Sequence, residues 1–215
     1  MRTSTQGLIL QGGLIMVGAL IVSTLGGWAR GATADDQPTP VTAPALLAEL
    51  RALSQQLDAA RGELEVARVQ LERADAVLAY SAQYAIPADL ATVIYDIALS
   101  EGVDPDLAFR LVRVESRFNP RAKSRAGALG LTQVLPSTAR LYEPGLTTAQ
   151  LYERETNLRI GFRYLRDLLE RYDGNLEMAL LAYNRGPGRV DGLINRGRDA
   201  RNGYAESVMK GYPRR

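Results

Sequence analysis

Leucine and alanine recur at Leu46, Leu50, Leu53, Leu57, Ala60, Leu64, Ala67, Leu71, Ala74 and Leu78, in alternating steps of four and three. This spacing returns the apolar side chains to one stripe of an α-helix and to neither face of a strand. It is a heptad a/d seam, and Glu, Arg, Gln and Ala fill the positions between. A helix over 46–78 extends roughly 50 Å at the standard rise per residue. The seam predicts a coiled coil and hence a homo-oligomer. The competing expectation is an amphipathic helix folded against its own domain, since the alanines and Gly62 thin the seam.

Upstream, Gly7 to Trp28 carries a single amide, Gln11, and no charge. Such a run extends about 33 Å as a helix, enough for a bilayer core. Arg2 precedes it, and Trp28 stands at its far edge as interfacial aromatics do. Two readings follow: an uncleaved transmembrane anchor, or a signal peptide cut after Ala32-Thr33-Ala34. The apolar stretch Leu8–Leu25 is long for a signal core and favours the anchor. Either reading puts the rest of the chain outside the cytoplasmic membrane. A buried soluble helix is the plainer alternative. Pro38, Pro40 and Pro44 mark a linker. The resulting division is anchor or signal 1–30, linker 31–44, heptad helix 45–81 and a C-terminal domain 82–215.

The C-terminal domain reads as all-α. Pro87 to Glu101 forms one helix, closed by Gly102. Asp104-Pro105 offers a cap and a first-turn proline for the next, and Asn119-Pro120 ends it. A loop follows over 121–131. Pro136 opens a helix to Tyr142, and Asn157 to Tyr172 carries Leu158, Phe162, Leu165 and Leu169 on one face. Asn175 caps Leu176–Tyr183, Gly186-Pro187-Gly188 breaks the chain, and a last helix carries Tyr204, Val208 and Met209.

The 215 residues include no histidine and no cysteine. Serine–histidine triads, thiol nucleophiles, disulfides and histidine-bound zinc are therefore excluded, and carboxylates are left as acid/base groups. Net charge is +2, with 20 basic and 16 acidic residues from position 82 onward. A mildly basic domain suits an anionic polymer, but this excess is too small to argue for nucleic acid.

Glu115 is the carboxyl that draws attention. On the helix that starts at Pro105 its same-face neighbours are Leu111, Val112 and Phe118. Arg113 and Arg117 lie two positions away and point elsewhere. An apolar surround and the negative end of a helix both disfavour ionisation, which is what a general acid near neutral pH requires.

Around it stand, in order, Glu115-Ser116-Arg117-Phe118-Asn119-Pro120, Ala122-Lys123-Ser124, Gly127-Ala128-Leu129-Gly130-Leu131-Thr132-Gln133 and Ala182-Tyr183-Asn184. Together these resemble the soluble-lytic-transglycosylase domain, a lysozyme-like family that cleaves peptidoglycan glycan strands. The resemblance covers about 88–210. It implies Glu115 as the catalytic acid/base and Ser124 as a hydroxyl facing it. It also implies that Gly130, Leu131 and Gln133 line the sugar groove, with Tyr183, Asn184 and Tyr204 beside them as further substrate-binding residues. Thr132 stands where the family has methionine, and Ala200 where it has glutamate.

For several of these residues a structural role competes with a functional one. Gly127 and Gly130 also suit tight turns. Gln133 and Asn184 also suit satisfied internal amides, and Tyr183 shares a face with Leu176 and Leu180.

The resemblance further implies that Glu115 works alone, without metal or cofactor. It protonates the bond between N-acetylmuramic acid and N-acetylglucosamine, then deprotonates the muramic C6 hydroxyl to close a 1,6-anhydro ring. Two alternatives stay open: a lysozyme-type hydrolase, and a non-catalytic glycan-binding module on a membrane scaffold. The implied location is the inner membrane with the domain in the periplasm, or the periplasm after signal cleavage. The 46–78 helix would meet a second copy or cell-envelope machinery.

Overall fold

The computed structural model describes residues 42–213. Gly7–Trp28 and nearly all of the linker lie outside the described residues. Among the described residues, no helix is long and apolar enough to cross a membrane. Every regular element among them is helical, as the periodicity requires, and extended backbone pairs only at isolated bridges from Leu129 to Lys123 and Val134.

Helix α1 runs over Ala43–Tyr84 and begins before the expected boundary. Pro44 sits in its first turn, where a missing N–H costs nothing because no intrahelical partner exists there. The chain divides into two units after Arg61, and α1 contributes to both. In the first unit Leu46, Leu50, Leu53 and Leu57 are exposed. In the second, Leu64, Leu71 and Leu78 are exposed too, and burial falls off the seam, on Val77. The folding-back of the seam onto its own chain is therefore not found among the described residues.

The second unit continues with α2 (Ala88–Ser100), α3 (Pro105–Ser116), α4 (Pro136–Tyr142) and a 3₁₀ turn at Gln150–Tyr152. Then come α5 (Arg154–Arg171), α6 (Leu176–Arg185), α7 (Pro187–Ile194) and α8 (Tyr204–Met209). Local chemistry sets most boundaries. The Asp104 carboxylate accepts from Asp106 N at 2.8 Å, and Asn175 Oδ1 accepts from Met178 N at 3.1 Å. Helix α3 stops before Asn119-Pro120, because Arg117 takes a left-handed φ of 52° and ends it there. Gly186-Pro187-Gly188 is a break that is also a beginning. Gly186 turns the chain at φ 83°, and Pro187 is the first residue of α7, which the sequence reading missed.

Helix α3 packs on α2 and α8, and its Phe109, Leu111 and Val112 are fully buried in one cluster with Leu158, Phe162 and Leu165 of α5 and Leu180 of α6. Each such side chain contributes roughly 1.5–3 kcal/mol by leaving water. Phe109 stacks on Tyr80 at 4.2 Å and on Tyr84 at 5.5 Å between ring centroids, which fixes the end of α1 to the domain. On the α2–α5 side, buried Glu101 accepts from Arg163 Nε at 2.7 Å and Arg159 Nη1 at 3.1 Å. A second small cluster, with Leu129, Val134, Leu151 and Ile160, underlies the loop between α3 and α4.

Replacing Phe109 by alanine removes the stacked ring and leaves a cavity. The expected loss is about 3–5 kcal/mol of stability, read by urea denaturation.

Candidate active site

Glu115, in the last turn of α3, opens onto a cleft of about 350 Å³. The loop between α3 and α4 contributes Ser124 and Gln133 to the same cleft, α5 contributes Tyr164, and α6 contributes Tyr183, Asn184 and Arg185. Five of the sequence-predicted residues thus meet in one cavity: Glu115, Ser124, Gln133, Tyr183 and Asn184.

The Glu115 carboxyl is partly buried, and burial pushes its pKa from 4.5 to about 7. Of the apolar neighbours expected for it, Leu111 and Val112 are fully buried one turn back, whereas Phe118 lies past the helix end at φ 64° and packs on Tyr84 and Phe109. One interaction opposes burial. The Tyr204 hydroxyl, from the first residue of α8, donates to Glu115 Oε1 and favours the charged form. The other carboxyl oxygen makes no hydrogen bond among the described residues, and Glu115 lines the cleft. Burial and the Glu115 charge hold the Tyr204 phenol well above its ordinary pKa, so it remains a donor. Tyr183 is likewise raised, chiefly by burial, and its hydroxyl donates to Thr132 O at 2.9 Å.

Ser124 does not bond to Glu115. Its Oγ accepts from Ala128 N at 3.0 Å and braces its own loop, while still lining the cleft. Tyr204 takes the place expected for Ser124 as the carboxyl's partner.

Gly130 and Leu131, expected on the sugar groove, are both buried and serve the framework instead. Gly130 has φ 76°, and a Cβ there would lie 2.7 Å from Leu151 O and collide with the Asn157 amide. That amide is the organising group of the loop. Asn157 Nδ2 donates to Leu129 O and Leu151 O, both at 2.9 Å. Its Oδ1 accepts from Thr132 N and Thr132 Oγ1, both at 2.8 Å. Thr132 is fully buried and packs on Gly161, where any Cβ would collide with it. The departure from methionine at 132 therefore changes an internal hydrogen-bond network and not a surface that lines the cleft.

Gln133 both braces and lines. Its Nε2 donates to Gly130 O at 2.9 Å and Ala122 O at 3.2 Å. Asn184 Oδ1 accepts from Asn202 Nδ2 at 2.8 Å, and Arg185 Nη1 donates to Ala200 O at 2.7 Å. These two bonds tie the segment ahead of Tyr204 to the end of α6. Ala200 is buried, so the position where the family has glutamate presents only its carbonyl here, to Arg185.

Sequence reasoning missed Asn157, Tyr164 and Arg185. Tyr164 tilts against Tyr183 at 5.2 Å between centroids. A signal existed: Asn157, Gly161 and Tyr164 fall at i, i+4 and i+7, a stripe of different character inside an apolar helix. Among the described residues, no group of three or more acidic side chains is gathered to hold a metal.

A helical domain that holds one carboxylic acid of raised pKa in a cleft offers the setting that acid/base chemistry requires. The model of the Transglycosylase SLT domain family matches residues 92–203, and the chain belongs to that family. The soluble lytic murein transglycosylase of Escherichia coli K12 is 40% identical over 89 residues, covering 39% of this chain and 14% of that protein. The transglycosylase of Enterobacteria phage PRD1 is also 40% identical over 89 residues, covering 41% of this chain and 32% of that protein. The chain thus matches less than a third of the length of either relative. The solved complex of the 70-kDa soluble lytic transglycosylase with bulgecin A shares the fold, with a TM-score of 0.51 at 22% identity. That match covers 88% of this chain and 38% of the other.

The raised pKa has a consequence for stability. The folded state prefers the protonated acid, so below pH 4.5 the group is neutral in both states and costs nothing. As pH rises from 4.5 to about 7 the unfolded chain gives up the proton more readily than the folded one, which must bury the charge, and stability is lost over that range. Glu115→Gln keeps an acceptor for Tyr204 without that charge. It is expected to leave stability at pH 4 unchanged and to raise it by about 2–3 kcal/mol at pH 8, measured by urea denaturation.

Proposed function

We propose that this chain is a peptidoglycan lytic transglycosylase in which Glu115 is the single general acid and base. The carrying observation is the Glu115 carboxyl, raised to about 7, held by the Tyr204 hydroxyl and lining the cleft. An acid whose pKa lies near ambient pH can give a proton and take one back with little loss in either direction.

The protonated Glu115 donates to the oxygen joining N-acetylmuramic acid to N-acetylglucosamine. The C1–O bond breaks, and the substrate's own N-acetyl carbonyl steadies the positive charge at C1. Glu115 is now a carboxylate, and the Tyr204 O–H stabilises it. The muramic O6 then attacks C1 as Glu115 takes its proton, which closes the 1,6-anhydro ring and restores the acid. Ordinary two-carboxylate glycosidases need a second acid in reach. Among the described residues, Glu115 is the sole carboxylate lining this cleft, and the other charged side chain there is Arg185.

Digestion of purified sacculi by the full chain tests this. Anhydro-ended muropeptides are expected, and Glu115→Gln should lower their rate of release at least about a hundredfold. Reducing ends in their place mean a lysozyme-type hydrolase. Binding to sacculi that survives Glu115→Gln, with no cleavage by the parent, means a glycan-binding module.

The same proposal assigns a place to the reaction. Gly7–Trp28 is read as an inner-membrane anchor that holds the domain in the periplasm, with a cleaved signal peptide as the alternative. The exposed seam of α1 is read as a coiled-coil surface for a second copy. Support comes from Leu50, Leu57, Leu64 and Leu71, which repeat at heptad spacing and are each more than half exposed. Light scattering of the full chain in detergent should give a mass above one protomer, and Leu57→Asp with Leu64→Asp should reduce it to one. A monomeric parent would remove the coiled coil.

A further inference from the structure

We propose that Arg185 is a specificity determinant, binding a carboxylate on the acidic arm that muramic acid carries, so that the cleft favours glycan bearing free carboxylates. The inference rests on the reading of the cleft as a glycan-cleaving site.

Arg185 closes α6 and lines the same cleft as Glu115. Its guanidinium carries five N–H donors in a rigid fork. One of them, Nη1, donates to Ala200 O. The remaining donors meet no partner among the described residues, and no carboxylate there lies within ion-pair distance of Arg185. Seven of the fifteen other described arginines of the domain differ in this, and none of the fifteen lines the cleft. Arg110, Arg154, Arg159, Arg163, Arg166, Arg171 and Arg201 each face an Asp or Glu. Arg185 is also half-buried, so its charge is partly stripped of water without compensation from a counter-charge. A cation at the end of a helix is favoured wherever its side chain points, so the helix end does not account for its place in the cleft.

The polymer supplies what is missing. The N-acetyl and hydroxyl groups of the alternating sugars are neutral, and the anions are the carboxylates of the attached peptide or, on a muramic residue without peptide, the lactyl carboxylate itself. A guanidinium with free parallel donors matches a carboxylate in two-point geometry, which an ammonium cannot copy. Glu115 and Arg185 divide the cleft between them. Glu115 acts on the glycosidic bond, while Arg185 fixes which muramic residue is presented to it.

Steady-state cleavage by the full chain on three forms of the same glycan tests this: native strands, strands with carboxylates converted to amides, and strands stripped of peptide to leave the lactyl carboxylate. Wild type is expected to show a KM about tenfold lower on native than on amidated strands, the size of one charge-assisted contact. Salt should shrink the difference. Arg185→Gln should raise KM on native strands to the amidated value, and Arg185→Lys should recover part of it. A low KM on stripped strands locates the carboxylate on the lactyl arm, and a high one on the peptide. Equal KM for wild type on native and amidated strands overturns the inference alone. So does an equal fall in kcat/KM on both with Arg185→Gln, since the tether to Ala200 then explains the residue. Absence of cleavage on every form overturns the reading of the cleft itself.

Discussion

The hydrogen bond from the Tyr204 hydroxyl to Glu115 joins positions 89 residues apart and ties α8 to α3. Two opposed effects meet at that carboxyl. Burial raises its pKa, and the phenol lowers it, with the balance near 7. Burial alone would raise the pKa further and make a weaker acid that gives up its proton poorly. A fully solvated carboxyl would be ionised and have no proton to give. The rest of the domain can be understood as what keeps this pair together. Helix α3 is buried on the face that orients Glu115, and Arg117 stops it in the next residue but one. The Asn184–Asn202 and Arg185–Ala200 bonds steer the chain into Tyr204.

A second, deeper network shapes the opposite wall. Asn157 spends all four of its side-chain hydrogen bonds on the loop between α3 and α4 and on the 3₁₀ turn. Thr132, Gly130 and Gly161 are fitted around it, and Tyr183 reaches into the network through Thr132 O. Buried polar groups that are all satisfied fix one arrangement, because any shift leaves a donor or acceptor bare. Gln133 and Ser124 are held on the cleft by that rigid loop. The motif around Gly130 is therefore held mainly by packing, and its outermost member, Gln133, lines the cleft.

Elements with local stop and start signals were legible in the sequence. Asp104-Pro105, Pro136 and Asn175 carry their caps within a turn, so α3, α4 and α6 begin where the residues say. Helix α7 was hidden because Pro187 reads equally as a breaker and as a first helical residue. Glu115 was legible because its environment is set by its own helix. Its partner was not, since nothing at Tyr204 announces a contact with a residue so distant, and the resemblance pointed to Ser124 first. Gly130 and Leu131 were placed on the groove by motif, whereas their burial depends on Asn157, whose partners lie up to 28 residues away. Arg185 escaped notice because an unpaired charge is visible only when every possible partner has been located in space.

The account depends on Glu115 being a carboxylic acid near neutral pH and not an ordinary surface carboxylate. Isotope-edited infrared titration of the carboxyl band, taken as the difference between the wild-type chain and Glu115→Gln, measures this without substrate. Titration with a midpoint near 7 is the predicted result. A midpoint near 4.5 would contradict the account, because the resting site would then hold no proton to donate.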